Sequence, residues 1–208
     1  MGNVGFLMRI AMSLSLLILV ALLLASFFYP KIDKVIVNNN LHYSKEEIMK
    51  LANVEINKPF FWLTTWSAAG LIKDPWIKDA KIYKRWPSTV SISVSERKPI
   101  LTNGFQNFAI DGTILSNVSP EQQKALIQLD GWGEPRLDEI IKLINLFDKY
   151  ELEKISYVPS GLTVKLAKIE VFTPSVEMLK IHWGSFLSQV GKYKKTYVYP
   201  WGVSGSNE

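Results

Sequence analysis

Residues 10–30 contain no charged side chain. They are built from Leu, Ile, Val, Ala and Phe, with Ser13, Ser15 and Ser26 as the polar breaks. At 1.5 Å per residue, about 20 such residues cross the ~30 Å hydrocarbon core of a bilayer as one helix. Phe27, Phe28 and Tyr29 fall where an interfacial aromatic belt is expected, and Lys31 follows in water. A cleaved signal peptide has a shorter apolar region ending at small residues, whereas this run is longer and ends in aromatic ones. The expectation is a retained single-pass anchor over 10–30, preceded by a stub over 1–9. Arg9 on one side faces Lys31 and Lys34 on the other, so loop charge alone does not orient the span.

The rest of the 208-residue chain is long enough for one core or two small ones. The absence of Cys excludes disulfides within the chain, thiolate catalysis and Cys-ligated zinc. A net charge of +5 is modest, and the basic residues are scattered among acidic ones. Lys192, Lys194 and Lys195, interleaved with Tyr193 and Tyr197, form the densest basic group, but no stripe extends it into a nucleic-acid interface.

Directly after the span, residues 32–37 read as a strand with Val35 and Val37 on one face. Asn38, Asn39 and Asn40 break it. Ser44 and Glu47 form a capping box that opens a short helix with Ile48, Leu51 and Ala52 as its apolar stripe, ending before Asn53. Phe60, Phe61 and Trp62 follow a loop and read as core or as packing against the membrane-proximal strand. Thr64 or Thr65 is placed to cap a second helix carrying Ala68, Leu71 and Ile72, which Asp74 and Pro75 end. Ile77, Ala80 and Ile82, a turn at Trp86-Pro87-Ser88, and Val90, Ile92 and Val94 alternating with polar residues give two strands, the second half-buried.

The segment from Pro75 through Trp86-Pro87 to Val90, closed by Glu96-Arg97-Lys98-Pro99, resembles the polypeptide-transport-associated (POTRA) domain of the bacterial cell-division proteins FtsQ and DivIB. The resemblance rests on the joint pattern: an apolar span, a strand-helix-helix-strand-strand unit, a Trp-Pro turn and a Glu-Arg-x-Pro exit. That family usually has Gly after the first strand, where this chain has Asn38 to Asn40; Asn also tolerates a left-handed backbone. The implied architecture is α+β, with a POTRA domain over 31–97, a C-terminal mixed β domain with flanking helices over 98–200, and a tail over 201–208.

Within that second half, residues 108–115 carry a hairpin signal, and turn chemistry accounts for Asp111 at its Asp-Gly step. A helix over 137–150 bears Ile140, Ile141, Ile144 and Phe147 after Pro135. Strands over 154–158, 162–166 and 169–172 follow, Pro174 opens another helix carrying Val176, Leu179, Ile181, Phe186 and Leu187, and a last strand covers 196–199.

Groups for catalysis do not converge in this pattern. His42 and His182 lack metal-ligand spacing, and Ser185 in Trp183-Gly184-Ser185-Phe186 lacks the second glycine of a nucleophile elbow. Glu46 and Glu47 read as a helix N-terminal pair. No enzyme, metal or cofactor is therefore expected. The resemblance instead implies an extracytoplasmic scaffold of the divisome, at the septum of the bacterial cytoplasmic membrane with its N-terminus inside. It would link other bitopic proteins, notably a small coiled-coil protein of the FtsB/DivIC type and an FtsL-type associate, and so regulate septal peptidoglycan synthesis. A Tyr before a turn in the family's last strand grips the coiled-coil partner. Tyr199 stands at the matching place, so Tyr197, Val198, Tyr199 and Trp201 are the expected partner-binding residues, although the family usually has Arg where this chain has Val198. The alternatives are a POTRA-type translocation or outer-membrane assembly factor, and an envelope enzyme.

Overall fold

The computed structural model of the chain describes residues 2–64, 67–132 and 136–208. Helix α1 (Gly2–Phe28) contains a 21-residue apolar span, Met8–Phe28, none of which is buried against protein. A helix apolar on all sides and left exposed along its length, apart from a contact at its last turn, has hydrocarbon as its natural solvent, which fits a single membrane crossing. Its serines return their hydroxyl protons to the helix: Ser13 to Arg9 O at 3.0 Å, Ser15 to Met12 O at 2.9 Å and Ser26 to Leu23 O at 2.6 Å. That satisfies each polar group without water. The helix takes in most of the expected stub and stops short of Tyr29 and Pro30, because the residue before a proline is pushed out of the helical region.

Two units follow from the contacts, Met1–Arg97 and Lys98–Glu208. In the first, β1 (Lys34–Asn38), α2 (Lys45–Leu51), α3 (Ser67–Ile72), β2 (Ile77–Arg85) and β3 (Thr89–Glu96) reproduce the expected order. The sheet order is β1-β3-β2, with β1 parallel and β2 antiparallel to the central β3. Ala80 stands opposite Val94 and Ile82 opposite Ile92. A bulge after Ile77 explains why Ile77 and Ala80, three residues apart, both turn inward. With Ile48, Ala52 and Leu71 from the helices, they close one core under one face of the sheet.

The capping box at α2 forms in both directions, Glu47 N donating to Ser44 Oγ at 3.3 Å and Ser44 N to Glu47 Oε2 at 2.8 Å. Hydrogen bonds from Ser44 hold the Glu47 carboxyl below its usual range. Asn39, at φ 64°, takes the left-handed turn for which the family uses Gly. Ile72 departs from expectation: it is 49% exposed, because a helix this short buries only one stripe, here led by Leu71. The capping position Thr65 lies outside the described residues.

The motif residues of this unit are structural ties. The Glu96 carboxylate accepts the backbone N–H groups of Leu41, His42 and Tyr43 at 2.7, 2.6 and 3.3 Å, pinning the loop between β1 and α2 to the end of β3. Arg97 Nη1 donates to Pro75 O at 2.9 Å and Ile77 O at 2.7 Å, and its backbone N–H to Trp76 O at 2.7 Å. Tyr43 Oη donates to the Asp74 carboxylate at 3.0–3.1 Å. Burial, and then Asp74, push the Tyr43 phenol up to about 12.

The second unit is a nine-stranded mixed sheet with helices packed on it. Its elements are β4 (Pro99–Thr102), β5 (Asn107–Ala109), β6 (Ile114–Leu115), α4 (Pro120–Lys124), β7 (Ile127–Gly131), α5 (Leu137–Leu146), β8 (Leu152–Val158), β9 (Gly161–Leu166), β10 (Glu170–Thr173), α6 (Val176–Ile181), α7 (Trp183–Leu187), β11 (Lys195–Tyr199) and β12 (Gly202–Ser206). The sheet order is β12-β11-β10-β9-β8-β7-β4-β5-β6. Ile140, Leu143 and Phe147 of the α5 region meet Leu179 and Phe186 over Ile155, Val164 and Val171. Asp111 Oδ1 accepts from Thr113 N at 3.2 Å and Gly112 sits at φ 80°, the turn roles read from the sequence. Pro135, read as the start signal of α5, lies outside the described residues. Ile181, expected in the core, is 72% exposed at the break between α6 and α7.

Residues 201–208 are not a tail. Gly202–Ser206 form β12, antiparallel to β11 with Val203 opposite Val198 and Gly205 opposite Thr196. The strand exists because the chain reverses at Pro200-Trp201 and Val203 packs against the unit's core.

A candidate partner-binding edge at the C-terminal strands

β11 alternates as a half-covered strand must: Thr196 and Val198 are buried and Tyr197 and Tyr199 turn to the other face. Val198, expected at the partner surface, is 2% exposed and belongs to the core. A period of two cannot place 197, 198 and 199 on one surface, which corrects that expectation. The edge also moves outward. β11 is flanked by β10 and β12, so its backbone is paired on both sides, and the terminal strand of the sheet is β12.

The outward side chains form a continuous stack. Phe172 and Tyr197, neighbours across the parallel β10–β11 pair, lie 4.8 Å apart between ring centroids, with planes 9° apart. Tyr197 and Tyr199 follow at 6.4 Å and 14°, and Tyr199 and Trp201 at 5.2 Å and 4°. Exposure rises along the stack: Tyr199 is 37% and Trp201 81% exposed. Nothing local in the sequence marks Phe172; its place in the stack follows from the β10–β11 register. A shallow cavity of about 260 Å³ opens beside the stack, lined by Val158, Gly161, Phe172, Pro174, Tyr197 and Tyr199 among others.

The turn and the outer strand are held from within. His182 Nε2 is 3.2 Å from Pro200 O, and Gln189 Nε2 donates to Val203 O at 3.0 Å. The Tyr193 ring lies directly against Gly205, where a Cβ would collide with it. Among the described residues no strand pairs with the outer side of β12. Its sequence Gly-Val-Ser-Gly-Ser carries no charge and no proline, the usual means of blunting an edge. At the far end of the sheet, β6 is only two residues long and offers little to pair with.

The remaining residues weighed for chemistry have structural places. His42 stacks on Trp76 at 3.5 Å, and Ser185 lies within α7. Among the described residues no three His, Cys, Asp or Glu side chains cluster as a metal site.

No curated protein matches the chain. Residues 31–97 match the family model described as a POTRA domain, FtsQ-type. Behind its membrane-length helix, then, this chain carries a POTRA domain of the FtsQ type, as its resemblance to the FtsQ and DivIB proteins implies.

Proposed function

We propose that the chain is a non-enzymatic scaffold of the bacterial division machinery, anchored in the cytoplasmic membrane by α1 with its N-terminus inside and both units outside. The observation that carries this reading is the FtsQ-type POTRA domain directly after a helix of membrane length. POTRA domains act by protein–protein interaction. On this reading the chain gathers other bitopic division proteins at the septum and so controls when septal peptidoglycan is made.

The partner-binding function falls to β12 and the aromatic stack beside it. An unguarded edge offers backbone donors and acceptors to an incoming strand, while Tyr199 and Trp201 supply large rigid surfaces at low entropic cost. The occupant is an extended segment of a small coiled-coil division protein of the FtsB/DivIC type, with an FtsL-type protein joined through it. A fluorescent fusion at the N-terminus should collect in a ring at the septum of dividing cells. It should also co-purify those two proteins. Uniform envelope fluorescence through constriction would contradict the reading.

A further inference from the structure

Residues 57–60 run back along the segment that leaves the membrane. Asn57 N donates to Ile32 O at 2.8 Å, Ile32 N to Lys58 O at 2.9 Å and Phe60 N to Pro30 O at 3.0 Å, with Lys31 bridged to Pro59. Phe60 is buried in the POTRA core and fixes the end of this return. The chain therefore brings Trp62 to the last turn of α1. The Trp62 ring stacks on Phe27 at 4.1 Å, with planes 19° apart, and Trp62 Nε1 donates to Ser26 Oγ at 3.1 Å.

These contacts act as a depth gauge. Met8–Phe28 is 21 residues, so at 1.5 Å each the span is about 31 Å long, against a hydrocarbon core of ~30 Å. Ser26 and Phe27 therefore lie at the edge of the hydrocarbon, and a ring stacked on Phe27 lies at the same depth. Phe61 and Trp62 are nevertheless 52% and 48% exposed. A second aromatic stands at the same end of the domain. Ser88 O accepts from Asp33 N at 3.0 Å, which sets the β2–β3 turn beside the membrane-proximal start of β1, and Trp86 in that turn is 78% exposed. Lys31, bridged to Pro59, and Arg85, next to Trp86 in the chain, are exposed, while Lys84 Nζ donates to Phe61 O at 3.0 Å.

We infer that the membrane-proximal rim of the POTRA domain is a second membrane-contact surface. Phe61 and Trp62 lie in the headgroup region of the leaflet where α1 emerges, Trp86 faces that leaflet, and Lys31 and Arg85 face lipid phosphates. Trp at the boundary and basic residues just beyond it are the arrangement the bilayer interface favours. The rim would hold the domain at one height and tilt over the membrane, which a single helix followed by a free linker would not. The inference rests on reading α1 as a membrane span.

The absence of native Cys makes the test direct. Single-cysteine variants Leu17→Cys, Phe61→Cys and Ser95→Cys of the full chain are nitroxide-labelled and reconstituted alone in phosphatidylcholine–phosphatidylglycerol vesicles. Power saturation then compares accessibility to oxygen and to a water-soluble nickel chelate. The Phe61 label should show an oxygen-to-nickel ratio several-fold above that of Ser95, an exposed residue near the far end of β3, and below that of Leu17. A ratio at Phe61 equal to that at Ser95, with Leu17 deep in lipid, overturns the inference and leaves the span intact. Low access to both reagents at Phe61 would mean that protein, a second copy of this chain, covers the rim, and also overturns it. If Leu17 itself is water-accessible, the span reading fails, and the inference fails with it.

Discussion

Each unit has a sheet with an outer strand, and the two are built on opposite rules. β2 of the POTRA domain lies at its sheet's edge with Lys78, Asp79, Lys81, Lys84 and Arg85 exposed along it and a bulge at its start. β12 of the C-terminal unit lies at its sheet's edge with glycine, serine and one valine. Charge and a bulge discourage an added strand; small neutral residues permit one. The polar residues of the POTRA domain are bound up in internal ties, as with Glu96 and Arg97, while the aromatic residues beside β12 become progressively more exposed toward Trp201. Sheet geometry is common to both edges, and side-chain chemistry distinguishes them.

The largest effect should come from breaking the braced unit itself. Ile92 is fully buried on the central strand, so Ile92→Asp leaves a charge without a partner and costs several kcal/mol against a total stability of only ~5–15. The POTRA domain should lose its cooperative melt in thermal unfolding of the purified chain. Ser95→Asp, on the exposed face of the same strand, should keep it. A smaller loss follows Glu96→Ala, which removes three charge-assisted hydrogen bonds from the loop between β1 and α2 and leaves water to replace them. About 1–2 kcal/mol is expected from denaturant unfolding. Glu153→Ala breaks only the exposed 2.9 Å pair with Lys165 and should cost under about 0.5 kcal/mol. If the two cost the same, the ties of the POTRA domain do not brace it.

Adjacent residues of β11 sharpen the comparison further. Tyr199→Ala should weaken partner binding by ~2 kcal/mol, about 30-fold in Kd, with the melting temperature unchanged. Val198→Ala, opening space in the core, should lower stability by ~1–2 kcal/mol and leave the partner's affinity for the folded protein unaltered. Titration calorimetry beside thermal melts separates the two. A further effect is one of pH. Tyr43 titrates near 12 when folded and near 10 when unfolded, so the folded chain holds its proton more tightly. The resulting stability is present below pH 10 and is lost as pH rises from 10 toward 12. Tyr43→Phe should flatten that part of the stability–pH curve.

Much of the POTRA domain was legible because its elements are locally determined. Ser44 and Glu47 are three residues apart and cap their own helix, and Val90, Ile92 and Val94 alternate over a single buried face. Glu96 and Arg97 were legible only as a motif, since their partners at Leu41 to Tyr43 and Pro75 to Ile77 are brought up by the fold. In the second unit, β4 and β7 are short strands that the sequence pattern does not announce. Ser119 to Gln122 is a capping box with Pro120 at its first helical position and could have revealed α4. β12 had no such signal, because Gly-Val-Ser-Gly-Ser reads as linker and becomes a strand only through pairing with β11. The misplacement of Val198 has a different origin: the period of two within β11 already sets Val198 opposite to Tyr197 and Tyr199.

On the proposed function, the open edge, and not the guarded one, takes the division partner. A photoreactive amino acid placed at Ser204 on β12, and separately at Lys81 on β2, tests it in dividing cells, with the crosslinked protein identified by mass. Ser204 should capture the small bitopic coiled-coil division protein and Lys81 should not. Capture of that protein from Lys81, with none from Ser204, would contradict it.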